Sequence, residues 1–113
     1  MSFSVTSEMK NGIAQFTLVG ELDATAAGTF REAIEQAAAS QPKRVVLIMN
    51  ELTYMASAGL RALVFAKQKM SASVDIYLIG VQEPVYETLE MTGFHHSVVM
   101  LDTYDAAEIE NVR

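Results

Sequence analysis

The residue with the most chemical promise in this 113-residue chain is Ser57, within Met55-Ala56-Ser57-Ala58-Gly59-Leu60. Before it, Val45-Val46-Leu47-Ile48-Met49 is a short apolar run rich in β-branched side chains, the pattern of a strand buried on both faces. After it, Leu60, Leu63, Val64 and Lys67 follow the three-and-four spacing of an amphipathic helix. Ser57 falls where strand becomes helix and reads as the helix N-cap, its hydroxyl accepting a hydrogen bond from a first-turn N–H. Two uses of such a serine stand side by side. One is the cap itself, worth about 1 kcal/mol. The other is phosphorylation, because unpaired N–H groups and the positive end of the helix dipole favour a group carrying about −1.5 to −2 charge.

Other residue sets are weaker. Glu21 and Asp23 lie two apart, so in extended chain both carboxylates face one way, as a metal pair or an acid–base pair requires. The structural alternative is a turn followed by an N-cap. His95-His96 could suggest a metal site, but neighbours in extended chain point to opposite faces. The chain has no cysteine to complete a zinc set. There is no Walker loop, dinucleotide fingerprint or nucleophile elbow. Ser57 has no glycine two residues before it and no histidine close in sequence, so it does not read as a catalytic nucleophile. The reading is a non-enzyme with no cofactor and no metal.

The elements that position these residues follow from periodicity. Phe3-Ser4-Val5-Thr6 alternates as a first strand, and Lys10-Asn11-Gly12 is a hairpin turn signal. Ile13 to Val19 alternates as a second strand, with Ile13, Phe16 and Leu18 as its apolar positions. Gly20-Glu21-Leu22-Asp23 leaves the sheet, and Asp23 or Thr25 can cap a helix from about Ala24 to Ser40. Its buried side is Ala26, Phe30, Ala33, Ile34 and Ala37, and Pro42 ends it. Ser71-Ala72-Ser73 is a break before a strand over Val74–Ile79. Val81 to Pro84 opens a third helix that packs through Val85, Leu89 and Tyr86 and closes at Gly93. Val98 to Leu101 is a last strand, and Asp102-Thr103 caps a helix from about Tyr104 to Asn111 with Ala106, Ala107 and Ile109 as contacts. Two strands followed by regular alternation of helix and strand predict an α/β fold, an open sheet with helix layers, in a single domain over 1–113.

Composition narrows the function classes. Net charge is −6, from 8 Lys and Arg against 14 Asp and Glu. The basic pairs Lys43-Arg44 and Lys67/Lys69 are too sparse for a nucleic-acid surface, and the acidity reads as solubility. No apolar run approaches the roughly 18–20 residues that cross a bilayer, and the start MSFSVTSEMK lacks a secretory pattern. A cytoplasmic domain with no membrane insertion is expected. Of the 7 methionines, Met49, Met55, Met70, Met91 and Met100 suit core gaps. Met55, beside Ser57, could instead join Tyr54 as an exposed apolar contact.

Leu52-Thr53-Tyr54-Met55-Ala56-Ser57-Ala58-Gly59-Leu60-Arg61 resembles the signature of STAS domains, the family of sulphate-transporter domains and anti-sigma factor antagonists. Members commonly read aspartate, serine, serine (or threonine or alanine), glycine, leucine at this junction. Leu18-Val19-Gly20-Glu21-Leu22-Asp23 is similar to the family's glycine-glutamate-leucine-aspartate turn, and the resemblance covers nearly the whole chain, spacing included. It departs at Ala56, where many members carry an acidic residue. The resemblance implies an open mixed sheet of four to five strands with four helices packed mainly on one side. It also implies a partner, an anti-sigma factor or switch-type serine kinase that phosphorylates Ser57, and a phosphatase that reverses the change. The implied docking surface centres on Ala56, Ser57, Ala58, Gly59 and Leu60, with Asp23, Thr25, Tyr54 and Met55 at the rim. Ala58 and Gly59 are small either to admit a partner or to pack helix on sheet. Ala56 favours the alternative, a constitutive, non-phosphorylated subunit of a transport or cell-envelope complex.

Overall fold

The computed structural model describes residues 2–111. Asn11 and Gly12, at φ 54° and 81°, form the tight turn that joins β1 (Phe3–Lys10) antiparallel to β2 (Ile13–Leu22). The strands that follow, β3 (Arg44–Met55), β4 (Asp75–Ile79) and β5 (Val99–Leu101), each pair in parallel with the strand before, giving a five-stranded sheet ordered β1-β2-β3-β4-β5. The parallel connections carry α1 (Ala24–Ala38), α2 (Ser57–Lys69) and α3 (Glu83–Thr92), the last followed by a 3-10 turn, Phe94–His96. A short α4 (Ala106–Ile109) closes the described chain.

Alternation along the strands divides the core. Ala14, Phe16 and Leu18, Val45, Leu47 and Met49, and Ile76 and Leu78 face one way and pack with Phe30 and Ile34 of α1, Leu63 of α2, and Val85 and Leu89 of α3. Ile13, Val46, Tyr77 and Ile79 face the other way, where Ile109 of α4 packs on them. Three helices thus cover one face and α4 covers part of the other. Arg31 of α1 places its guanidinium 4.3 Å from the Phe65 ring centroid of α2, tying the outer sides of the two helices together.

Several expectations shift. β1 runs to Lys10 rather than stopping at Thr6. Ile13, by contrast, faces away from Ala14, Phe16 and Leu18 as the alternation of the second strand predicts. On α2, Ala62, Leu63 and Ala66 take the buried stripe and Val64 is exposed. Met91 is 85% exposed and fills no gap. The last helix is one turn long and is capped by Asp105, which accepts from Glu108 N at 3.2 Å. A single turn presents one side chain to the sheet, so Ile109 alone is buried and Ala106 and Ala107 stay in solvent.

That turn is held by few contacts. The Arg44 Nη1 donates to the Ile109 carbonyl at 3.2 Å, to the Glu108 carbonyl and to the Tyr77 hydroxyl at 3.1 Å, a cation set against the carbonyl end of the helix. Tyr104 donates to a Glu110 carboxylate oxygen at 2.7 Å. Partial burial, then this bond and the Glu110 charge, push the Tyr104 phenol up to about 12. Replacing Ile109 by Ala should cost about 2–4 kcal/mol, read by urea denaturation. Because the folded phenol lies above its ordinary value of 10.0, its hold on α4 is complete below about pH 10 and is lost as pH rises through about 12. A phenolate absorbance titration should show that late transition, and Tyr104→Phe should remove it.

Candidate functional site

The site is built by a mismatch between two neighbouring strands. From Thr17↔Ile48 to Leu22↔Met55, β3 uses seven steps where β2 uses five, through irregularities between Thr17 and Val19 and between Gly20 and Glu21. The two extra residues bring the ends of β2 and β3 level. The next residues, Asp23 and Ala56, are the N-caps of α1 and α2. Gly20 makes the bend possible. At φ 99° it occupies the left-handed region, and a Cβ there would lie 2.1 Å from the Ser2 carbonyl oxygen. Thr53 Oγ1 donates to the Gly20 carbonyl at 3.1 Å and fastens the irregular stretch from the other strand.

The two helix starts are finished differently. Asp23 accepts from Ala26 N at 2.9 Å, so the cap of α1 is Asp23 and not Thr25, which is exposed. Ser57, expected as the cap of α2, is instead its first helical residue. Ala56 holds the cap position because its N–H donates to the Leu22 carbonyl at 2.9 Å while its own carbonyl accepts from Leu60 N at 3.1 Å. This keeps Ala56 extended, at φ −81° and ψ 169°. An alanine offers no acceptor, so α2 begins without a side-chain cap. Ser57 is exposed beside those first-turn N–H groups.

The remaining expected surface residues divide. Tyr54 is 48% exposed, Asp23 is half-buried, and Ala56 and Ala58 are partly covered. Met55 and Leu60 are not docking side chains, since at 3% and 8% exposure they belong to the core under the turn. Gly59 is buried as well, and its size has an internal cause. A Cβ there would meet Leu22 Cγ at 2.8 Å, the Leu22 carbonyl oxygen at 2.9 Å and Leu22 Cδ2 at 3.0 Å. Gly59 therefore lets α2 lie against the end of β2.

One part of the rim was not anticipated. α3 starts at the same edge, with Gln82 Nε2 donating to the Asn50 carbonyl at 2.8 Å and Thr88 Oγ1 lying 3.5 Å from the Met55 carbonyl. Its exposed Glu83, Pro84 and Glu87 thus flank the α2 start on the side away from Asp23. The signal was available, because helices that follow parallel strands all begin at the carboxyl edge of the sheet.

The metal readings find no support among the described residues. Glu21 lies within β2 paired with Tyr54, and Asp23 is spent on its cap. No group of three or more His, Cys, Asp or Glu is placed to hold an ion. His95 and His96 do not point apart. The 3-10 turn brings their ring centroids to 3.9 Å, with Tyr86 edge-on to His95 at 5.6 Å. This pair follows the C-terminal end of α3. A cleft of about 660 Å³ also lies elsewhere, between the ends of α1 and α2 and the starts of β3 and β4, lined by Lys43, Lys69, Met70 and Asp75. Beside Asp23 and Thr25 lies a hollow of about 200 Å³. Neither of these two hollows is lined by Ser57.

The chain belongs to the STAS domain family, whose profile matches residues 4–107. Among individual proteins it is similar to the anti-sigma-F factor antagonist RsfB of Mycobacterium tuberculosis, with 24% identity over 102 residues covering 90% of this chain and 84% of the relative. An anti-sigma factor antagonist from Mycobacterium paratuberculosis has the same fold, with a TM-score of 0.86 at 19% identity over 97% of this chain and 96% of the other. The Bacillus cell fate determinant SpoIIAA in its phosphorylated form matches with a TM-score of 0.74 at 20% identity, covering 97% and 100%.

The Asp23 cap gives a direct check on the rim. Asp23→Ala should lower stability by about 1 kcal/mol in urea denaturation. Asp23→Asn, which keeps an acceptor oxygen, should lose less.

Proposed function

We propose that this chain is a regulatory protein-binding domain of the anti-sigma factor antagonist type. Through the Ser57 rim it docks on an anti-sigma factor with switch-kinase activity, and phosphorylation of Ser57 by that partner ends the interaction. The observation that carries this reading is an exposed serine at the first position of α2, beside first-turn N–H groups that no side chain caps. A phosphate on Ser57 finds donors and a favourable dipole within its own turn. The fold therefore absorbs the modification without rearranging. A partner seated closely over Ser57 meets added charge and volume instead. Family membership supports the reading, as do relatives named anti-sigma factor antagonists and a structural neighbour described in a phosphorylated form.

Within this scheme the domain is a ligand and a substrate, not a catalyst, and a phosphatase restores the binding form. Among the described residues no helix is long and apolar enough to cross a membrane, and we place the domain in the cytoplasm. Tyr54 supplies an aromatic contact at the rim, and Asp23 and Thr25 supply polar ones. With Ala56 at the second cap, Asp23 is the only carboxylate at the two level cap positions, so the kinase itself must provide the groups that orient Ser57. The same alanine favours a second reading, a constitutive subunit of a transport or cell-envelope complex that uses this rim without modification.

Binding to the switch kinase or anti-sigma factor encoded in the same genome separates the two. Ser57→Ala should bind as the native chain does. Ser57→Asp should bind about 100-fold more weakly or worse, a loss near 2.7 kcal/mol. Equal binding of all three overturns the switch. Independently of any partner, Ser57→Asp should raise folding stability by about 0.3–1 kcal/mol, because an acidic side chain then faces the α2 dipole.

A further inference from the structure

We infer that Leu22, which belongs to the first sequence motif, is the positioning residue for Ser57, which belongs to the second. This rests on the reading of Ser57 as the modified, partner-facing residue.

Leu22 meets the start of α2 in two ways at once. Its carbonyl accepts the Ala56 N–H at 2.9 Å, which fixes where the strand ends and the helix begins. Its carbonyl oxygen and its side chain, at Cγ and Cδ2, also form the surface on which Gly59 rests, so closely that one added methyl group would be 2.8–3.0 Å from all three atoms. Carbon contacts of that length do not persist, so something must move. Leu22 has no room to give way, being fully buried among the core side chains. The carbonyl is held in the β2–β3 pairing at Leu22↔Met55. The movable part is the first turn of α2, which carries Ser57. Leu22 thereby sets how far Ser57 stands from the sheet and from the rim residue next to it in the chain, Asp23.

The consequence is specific. A change at the Leu22–Gly59 contact displaces the α2 start and leaves the α1 start in place, because the Asp23 cap on Ala26 N is a separate bond. Phosphate transfer needs the serine oxygen in line with the donor, and misplacement by about 1 Å can cost up to about 100-fold in rate. A residue that only stabilised the domain would not act on one helix start and spare the other.

The test uses the full chain with Gly59→Ala, Leu22→Val and the double change Gly59→Ala with Leu22→Ala. In Gly59→Ala, the amide resonances and hydrogen exchange of Ser57 and Ala58 should change while those of Ala26 and Ala27 stay as in the native chain. Phosphate transfer by the switch kinase should fall about tenfold or more, through kcat rather than KM. The double variant should recover part of that loss, because it removes the Cγ and Cδ2 contacts and keeps the carbonyl contact. Leu22→Val is the milder variant that decides the matter if Gly59→Ala does not fold, and it should shift the same two amides. Native-like amides at Ser57 and Ala58, equal disturbance of both helix starts, or no recovery in the double variant overturns the inference. If the kinase leaves even the native chain unmodified, the functional reading fails, and the amide measurements still decide whether Leu22 positions Ser57.

Discussion

The structure depends on one hydrogen bond, from the Ala56 N–H to the Leu22 carbonyl. It joins the ends of two parallel strands that do not reach the same level by equal lengths of chain. β3 needs two residues more than β2 to arrive there, and glycine is required at two points along the way. Gly20 takes a backbone conformation and a clearance that a side chain would abolish, and Gly59 lets the following helix settle against Leu22. Once the bond forms, α1 and α2 begin side by side at one edge, one with its cap filled by Asp23 and the other with its cap left to an alanine. The exposed serine and its unfilled helix start result from that arrangement.

Much of the fold was legible. The run from Val45 to Met49 is buried on both faces, in the two separate clusters that its continuous apolarity required. Asp23 caps α1, Pro84 sits in the first turn of α3 and Gly93 ends it at φ 77°. These features are set by local chemistry, which is why sequence carries them. The errors arose where a distant partner decides. Ser57 is the better capping residue by preference, yet a bond from the neighbouring strand gives the cap to Ala56. Gly59 had two readings until the position of Leu22 assigned it to internal packing. Met55 and Leu60 looked available to a partner because their burial depends on how α2 lies over the sheet. The His95-His96 pair was misjudged through an assumption of extended chain that a 3-10 turn does not meet.

The chemistry of the rim follows from what it lacks. The hollow beside Asp23 and Thr25, about 200 Å³, gives a small substrate little to hold, and no cluster of ligating side chains among the described residues offers a metal a place. The rim consists of an aromatic side chain, a carboxylate committed to a helix cap, a serine at the positive end of a helix, and the exposed Glu83, Pro84 and Glu87 at the start of α3. Such a surface can be recognised, and it can be altered by a single anionic group. Away from that edge, α4 is held by Ile109 and the Arg44 guanidinium and covers part of the second face of the sheet.

The most direct measurement is intact-mass spectrometry of the protein isolated from its own cells, with the modified residue mapped by fragmentation. The account predicts a population heavier by one phosphate, with the phosphate on Ser57 and its proportion changing with growth or stress conditions. A single unmodified mass under every condition, or a phosphate only on some other residue, would contradict the switch and leave the rim as the surface of a constitutive subunit.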